Sequence, residues 1–238
     1  MADAAASCAE HPIATRPHSL IAIAAAILLA GCEQDTQAQT SQSRSLQDAS
    51  FDFFVLSLSW SPSYCEIEGA DANRQQCNSG RRHGFVVHGL WPQFERGWPE
   101  FCDSGEPERV PNELVSKTID IMPSAGLIGH QWRKHGSCSG MSQADYFVVV
   151  RDAWNQVTIP DRFRNTRSDM TIDPDDVEAA FLEANPGLPS DGFATSCSGR
   201  YVSEVRICLD KALDFRSCEE VDRRACSIDD AAMPAPAR

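Results

Sequence analysis

The sequence is short of positive charge. Lys and Arg number 21 against 34 Asp and Glu, a formal net charge of −13 over 238 residues. Affinity for phosphate backbones comes from clustered Lys and Arg, so this acid excess excludes a general nucleic-acid coat. It does not exclude a site that cleaves a phosphodiester, which needs only a few local cations. The chain also lacks an apolar run long enough to cross a bilayer comfortably. Residues 20–30, LIAIAAAILLA, stop at 11, where a spanning helix needs about 20. No CxxC pair occurs, and exported chains rarely hold thiolates reduced, which argues against a zinc cluster. Core residues are not lacking: at 42% hydrophobic and 23% charged the composition is ordinary for a globular chain, which excludes disordered and fibrous classes.

Cysteine is what the chain has in excess. Ten is too many for a cytosolic protein of this size unless it binds metal. The run at 20–30, preceded by Arg16 and His18, has the length of a signal-peptide core. It ends in Leu28-Leu29-Ala30-Gly31-Cys32, which resembles the bacterial lipoprotein processing box, where small residues fit the peptidase and the cysteine takes the lipid. Residues 1–31 are therefore expected to be a lipoprotein-type signal peptide and Cys32 the lipidation site. Residues 32–50 are Gln-, Ser- and Thr-rich and read as a polar tether. Residues 51–238 then form one domain, exported to the periplasm and held at the membrane only through the lipid on Cys32. The terminal AAMPAPAR reads as a frayed tail, or as an edge segment if its prolines pack. With Cys8 in the signal and Cys32 in the anchor, Cys65, Cys77, Cys102, Cys138, Cys197, Cys208, Cys218 and Cys226 remain. In an oxidising compartment four disulfides are the default, with 105 possible pairings.

Periodicity supplies a coarse architecture. FDFFVLSLSW (51–60) predicts a strand with Phe54, Leu56, Leu58 and Trp60 on one face, and residues 84–88 a second strand. Apolar residues at three and four predict a helix from Asn112 to Met122, stopped by Pro123. Ser142 with Asp145 three residues on is a capping box. Asp173-Pro174 opens a helix that Asn185-Pro186-Gly187 ends, and Tyr201 to Cys208 reads as a strand. Strands and helices interleave with long loops stapled by cysteines, which predicts an α+β fold.

The exported body carries His83, His88, His130 and His135. Two compact stretches stand out: His88-Gly89-Leu90-Trp91-Pro92, and His130-Gln131-Trp132-Arg133-Lys134-His135-Gly136-Ser137-Cys138. If the second is helical, Gln131 and His135 share a face at i,i+4, His130 and Lys134 share the neighbouring one, and Trp132 points into the core. Such a set suits attack by a ribose 2′-hydroxyl on its own phosphodiester. One neutral imidazole removes the 2′-proton, a protonated one supplies the leaving 5′-oxygen, and an ammonium stabilises the charge on phosphorus. Imidazole serves both roles because its unperturbed pKa of about 6.5 lets the two forms coexist. The nucleophile is on the substrate, so no metal or other cofactor is expected. The i,i+5 spacing of His130 and His135 also fails the i,i+4 pattern of helical zinc ligands, and Lys134 would oppose a bound cation. His83 is read as structural, satisfied by a loop carbonyl.

HGLWP and HQWRKHGSC resemble the two signature segments of the ribonuclease T2 family of endoribonucleases. FDFFVLSLSWSPSYC resembles that family's first strand, and RYVSEVRICLDKALDFRSC its late strand-and-cysteine segment. The resemblance implies an α+β fold with an antiparallel central sheet and surrounding helices. It implies cleavage of single-stranded RNA, but not DNA, through 2′,3′-cyclic phosphates to 3′-phosphate ends by a monomer. By position, His88 and His135 correspond to the catalytic histidines, with His135 favoured as base and His88 as acid, although the sequence leaves that order open. Lys134 would stabilise the transition state and His130 hold the phosphate. Trp91 and Trp98 would stack on a base, each stacked base contributing about 1–3 kcal/mol, and Gln93 would hydrogen-bond it. The family's usual pairings suggest Cys65–Cys77, Cys102–Cys138, Cys197–Cys226 and Cys208–Cys218. The chain departs from the pattern at Gln131, where the family usually has a catalytic Glu, and at Leu127-Ile128, which replace an aromatic pair. The first departure motivates an alternative: a degenerate member that binds RNA or a protein partner without efficient turnover.

Overall fold

The structure, a computed structural model, describes residues 50–236. The expected signal peptide (1–31), Cys32 and all but the last residue of the tether (32–50) lie outside the described residues, as do Ala237 and Arg238. In chain order the elements are β1 (Phe53–Trp60), α1 (Ser61–Glu68), α2 (Arg74–Cys77), β2 (Phe85–Gln93), α3 (Asn112–Thr118), α4 (Ala125–Lys134), α5 (Gln143–Gln156), α6 (Asp161–Arg164), β3 (Met170–Ile172), α7 (Pro174–Ala184), β4 (Phe193–Ser198), β5 (Tyr201–Leu209), α8 (Glu219–Asp222) and β6 (Ala231–Met233). The sheet runs β2-β1-β5-β6-β3, with β4 also paired to β5. It is antiparallel except where β6 meets β5. This is the α+β class that the element pattern predicts.

Both faces of β1 are buried, for different reasons. Phe54, Leu56, Leu58 and Trp60 enter the main core, as their period predicts, and each is 0% exposed. Trp60 and Phe85 meet there with ring centroids 4.9 Å apart, and Phe163 and Phe181 stack at 6.1 Å. Burying a large apolar side chain contributes about 1.5–3 kcal/mol, so this face fixes the strand's register. The opposite face carries Phe53 and Val55, which pack with Cys208, Cys218 and Trp91 in a separate cluster, and then the small Ser57 and Ser59. That second face is the floor of the site described below.

Caps hold the helices where the sequence places them. Ser142 accepts from the Asp145 amide and Asp173 from the Asp175 amide. Two expectations are corrected. α3 ends at Thr118 rather than Met122, because the chain turns there so that the Ile121 carbonyl can accept from Val87 N at 2.9 Å. The C-terminal segment is neither a frayed tail nor an edge. β6 lies between β5 and β3 with Ala231 and Met233 fully buried, and the Trp60 indole donates to the Pro234 carbonyl at 2.9 Å. Its apolar residues fill a gap in the sheet that composition alone does not reveal. The disulfides are Cys65–Cys77, Cys102–Cys138, Cys197–Cys226 and Cys208–Cys218, the four pairs that the resemblance implies.

Candidate active site

β2 reaches past the predicted 84–88 to Gln93, and its irregularity makes the site. Ser57 of β1 faces Gly89 and Leu58 faces Val87, so His88 is an extra residue in the ladder. A bulge shifts the side-chain alternation by one. Phe85, Val87 and Leu90 therefore all enter the core, while His88 and Trp91, three apart, come to the same side with ring centroids 5.4 Å apart. In a regular strand residues three apart would face opposite ways.

α4 supplies the other half. Ser124 caps it by accepting from the Leu127 amide, and His135 follows its last residue, with φ −121° and its N–H on the Gln131 carbonyl. Gln131 and His135 share a face as the spacing predicts. Both are buried, and both meet Trp91: its indole N–H donates to Gln131 Oε1 at 2.8 Å, and its ring stacks on His135 at 5.2 Å. Trp132 is core, at 1% exposed. The glycines of the two motifs permit this closeness. A Cβ on Gly89 would lie 2.1 Å from Gln131 Oε1, and one on Gly136 would lie 2.5 Å from the Trp132 ring. The Tyr146 hydroxyl of α5 donates to the Leu90 carbonyl of β2 at 2.8 Å, and its ring lies 5.8 Å from that of Trp132 on α4, so α5 ties the two halves together.

His88, Trp91, Gln93, Trp98, His130, Gln131, Lys134 and His135 all line one cavity of about 440 Å³. His88 and His130 also border a second cavity of about 500 Å³, with Tyr64, Asn73 and Leu127 across from them. Trp98 is 44% exposed, with the Arg224 guanidinium 5.4 Å from its ring centroid. Trp91 is more enclosed: His135 stacks on its ring and the Arg206 guanidinium lies 5.4 Å from its centroid. Gln93 turns its amide N–H to the Pro92 carbonyl at 2.9 Å, and Lys134 pairs with Glu100 at 3.5 Å. His83 lies outside the cavity lining. Its Nε2 is buried without a hydrogen-bond partner among the described residues, so the expected loop carbonyl is not at that nitrogen.

Of the three histidines that line the cavity, His88 and His135 have unlike surroundings. Burial pushes the His135 imidazole down to about 3, and the nearby positive charge of Lys134, His88 and His130 adds to this. Its Nδ1 is buried without a hydrogen-bond partner among the described residues. His88 Nδ1 instead donates to Glu204 on β5, since a carboxylate can only accept. Burial alone would raise the Glu204 carboxyl, but its hydrogen bond to His88 and the charges of His88 and Arg206 outweigh this and hold it down to about 2. Arg206 donates to the other Glu204 oxygen, with Nε at 2.9 Å and Nη2 at 2.7 Å.

Sequence reasoning singled out neither Glu204 nor Arg206, nor the cavity's outer wall of Phe94, Glu220 and Arg224. A signal for the first two existed. Glu204 and Arg206 alternate with Val205 and Ile207 at period two, which puts both charges on one face of a strand whose other face is core.

The chain is 35% identical over 180 residues to a ribonuclease of Aeromonas hydrophila, covering 73% of this chain and 80% of that one. It is 29% identical over 183 residues to a probable ribonuclease of Haemophilus influenzae, covering 72% and 62%. Among solved structures, an RNase-related protein from Calystegia sepium superposes with a TM-score of 0.61 at 21% identity, over 79% of this chain and 98% of that one, a likeness of fold. The model of the Ribonuclease T2 family matches residues 51–218, a stretch that takes in both histidine motifs, all of the sheet but β6 and every disulfide except the one closed by Cys226, and the chain belongs to that family.

Proposed function

We propose that the protein is a ribonuclease T2-type endoribonuclease that cleaves single-stranded RNA by metal-independent transphosphorylation. The observation that carries this reading is that one cavity brings together His88 and His135, two imidazoles with unlike surroundings, since environments that separate two titratable groups are how acid and base roles are divided. His135, neutral and buried, takes the proton from the ribose 2′-hydroxyl. The 2′-oxygen then attacks phosphorus, the P–O5′ bond breaks, and His88 gives its proton to the departing 5′-oxygen. The product is a 2′,3′-cyclic phosphate. In the second step the roles reverse: His88 takes a proton from water, the hydroxide opens the ring, and His135 returns a proton to the 2′-oxygen, leaving a 3′-phosphate. The substrate phosphate brings negative charge to a region crowded with cations, which strengthens His135 as a base when RNA is bound. Lys134 and His130 stabilise the extra charge on phosphorus.

One base lies in the first cavity against Trp98, with Gln93 at its edge and Trp91 holding His135 and Gln131 beneath it. The next nucleotide lies in the second cavity, beyond His88 and His130. Gln131 brings no negative charge, so it orients Trp91 rather than acting as a base. Eight cysteines paired in four disulfides favour an oxidising compartment, which supports export to the periplasm with residues 1–31 as leader and Cys32 as the lipid anchor. Residues 51–238 act as one monomeric catalytic domain.

A time course on the dinucleotide CpA and on its 2′-deoxy analogue tests the reaction. Transient cyclic product from CpA, none from the analogue and full activity in EDTA are expected. Binding without turnover would favour the degenerate reading that Gln131 motivates, and loss of activity with chelator would overturn the metal-independent one.

A further inference from the structure

We propose that Glu204 and Arg206 are positioning residues: Glu204 holds His88 with Nδ1–H turned away from the substrate and Nε2 free for the leaving group, and Arg206 carries the same constraint across to Trp91 and His135. The inference rests on the acid role given to His88 above.

His88 has no opposite residue in the β1 ladder, so strand pairing does not orient its ring. Something outside β2 must. β5 lies on the other edge of β1, with Glu204 opposite Ser59 and Arg206 opposite Ser57. Ser57 is fully buried and small. It leaves room above β1 for side chains of β5 to reach β2. Glu204 does so, and it is only 8% exposed. A buried carboxylate is costly unless paired. Here both of its oxygens are used, one by His88 and the other by Arg206. Arg206 then lies over Trp91, which stacks on His135 and donates to Gln131. An unbroken set of contacts thus runs from one histidine to the other through Glu204, Arg206 and Trp91, of which Glu204 borders the second cavity and the other two the first.

A carboxylate on the far nitrogen of a proton-transferring histidine selects its tautomer and stabilises the imidazolium. The titratable and charged groups that share a cavity with His88 are Glu204 and Arg206 on β5, His130, Lys134 and His135 from the end of α4, Glu220 and Arg224 at and after α8 across the first cavity, and Glu68 and Tyr64 of α1 across the second. Glu204 is the one that hydrogen-bonds His88. Removing the charge of that hydrogen-bonded carboxylate should make the protonated ring harder to keep.

Three variants separate this from a purely structural ion pair. Glu204→Gln keeps an acceptor for Nδ1–H but loses the charge. Glu204→Ala loses both, and Glu204→Asp keeps the charge on a shorter arm. On CpA, kcat in Glu204→Gln should fall roughly 100-fold with KM changed less than about threefold, and the alkaline limb of the pH–rate profile should move to lower pH. Glu204→Asp should restore that limb, and Glu204→Ala should be slowest. In a His88→Phe background, Glu204→Gln should cost almost nothing more, because residues acting as a unit are not additive. 15N NMR of His88 gives a readout independent of turnover. The wild-type ring should carry its proton on Nδ1 when neutral, and Glu204→Ala should lose that preference. A stable Glu204→Gln with wild-type kcat, pH profile and His88 tautomer would overturn the proposal. So would equal losses in the wild-type and His88→Phe backgrounds. If the wild-type protein does not cleave RNA at all, the functional reading fails, and the NMR comparison alone decides whether Glu204 sets the ring.

Discussion

His88 and His135 reach the same cavity from opposite kinds of surroundings. His88 rises from a bulged strand, partly exposed, with a carboxylate on its inner nitrogen. His135 follows a helix end, 6% exposed, with its inner nitrogen unpartnered among the described residues and with Lys134, His88 and His130 near it. In the proposed mechanism the first gives a proton to the leaving group and the second takes one from the 2′-hydroxyl. Identical side chains thus acquire complementary duties from burial and neighbouring charge. On that proposal the two environments, not the two motifs, set the direction of proton flow.

The comparison breaks most plainly at the rings themselves. His135→Phe and His88→Phe should each lower kcat about 10³- to 10⁴-fold on CpA; residual activity within tenfold of wild type in either would end the two-imidazole mechanism. Lys134→Ala follows, with an expected loss of about 10²- to 10³-fold in kcat, and a loss confined to KM would instead make Lys134 a binding cation only. Trp98→Ala should reduce kcat/KM on CpA by about 5- to 100-fold, the worth of one stacked base, while cleavage chemistry persists in the product time course.

Two smaller effects refine the contrast. Gln131→Glu would give His135 an anionic neighbour of the kind His88 already has, and should move the acid limb of the pH–rate profile up by roughly one unit. An unchanged limb would mean that Trp91 shields His135 from position 131. Stability should carry the same signature. His135 is held at about 3 in the fold against 6.5 when free, so the unfolded chain binds more protons between those values and stability falls as pH drops through that window. Glu204, at about 2 against 4.5, contributes stability that is full above 4.5 and lost as pH falls toward 2, the same sign. Urea unfolding at stepped pH should show this decline, and His135→Phe should remove the part between 6.5 and 4.5.

Much of the architecture was readable from pattern. The core face of β1, the caps at Ser142 and Asp173 and the shared face of Gln131 and His135 follow from local periodicity and capping chemistry, which act within a few residues. The end of α3 and the place of β6 did not follow, because both depend on partners far away in sequence, Val87 for one and β5 with β3 for the other. The same boundary runs through the site. His88, Lys134 and His135 stand in compact motifs whose residue types announce proton transfer. Glu204 sits in an ordinary strand 116 residues from its partner, and its period-two pairing with Arg206 says only that two charges share a face.

From residue order alone come the chemical parts: two imidazoles, a lysine, the aromatic rings near them, and eight cysteines for four bridges. These are matters of composition and short spacing, which the chain carries whether folded or not. The fold supplies the assignment of duties. A bulge in β2 aims His88, the end of α4 buries His135, and a third strand delivers Glu204 to one ring and not the other. Charge and burial act through space, and distances between segments exist only once the sheet has closed.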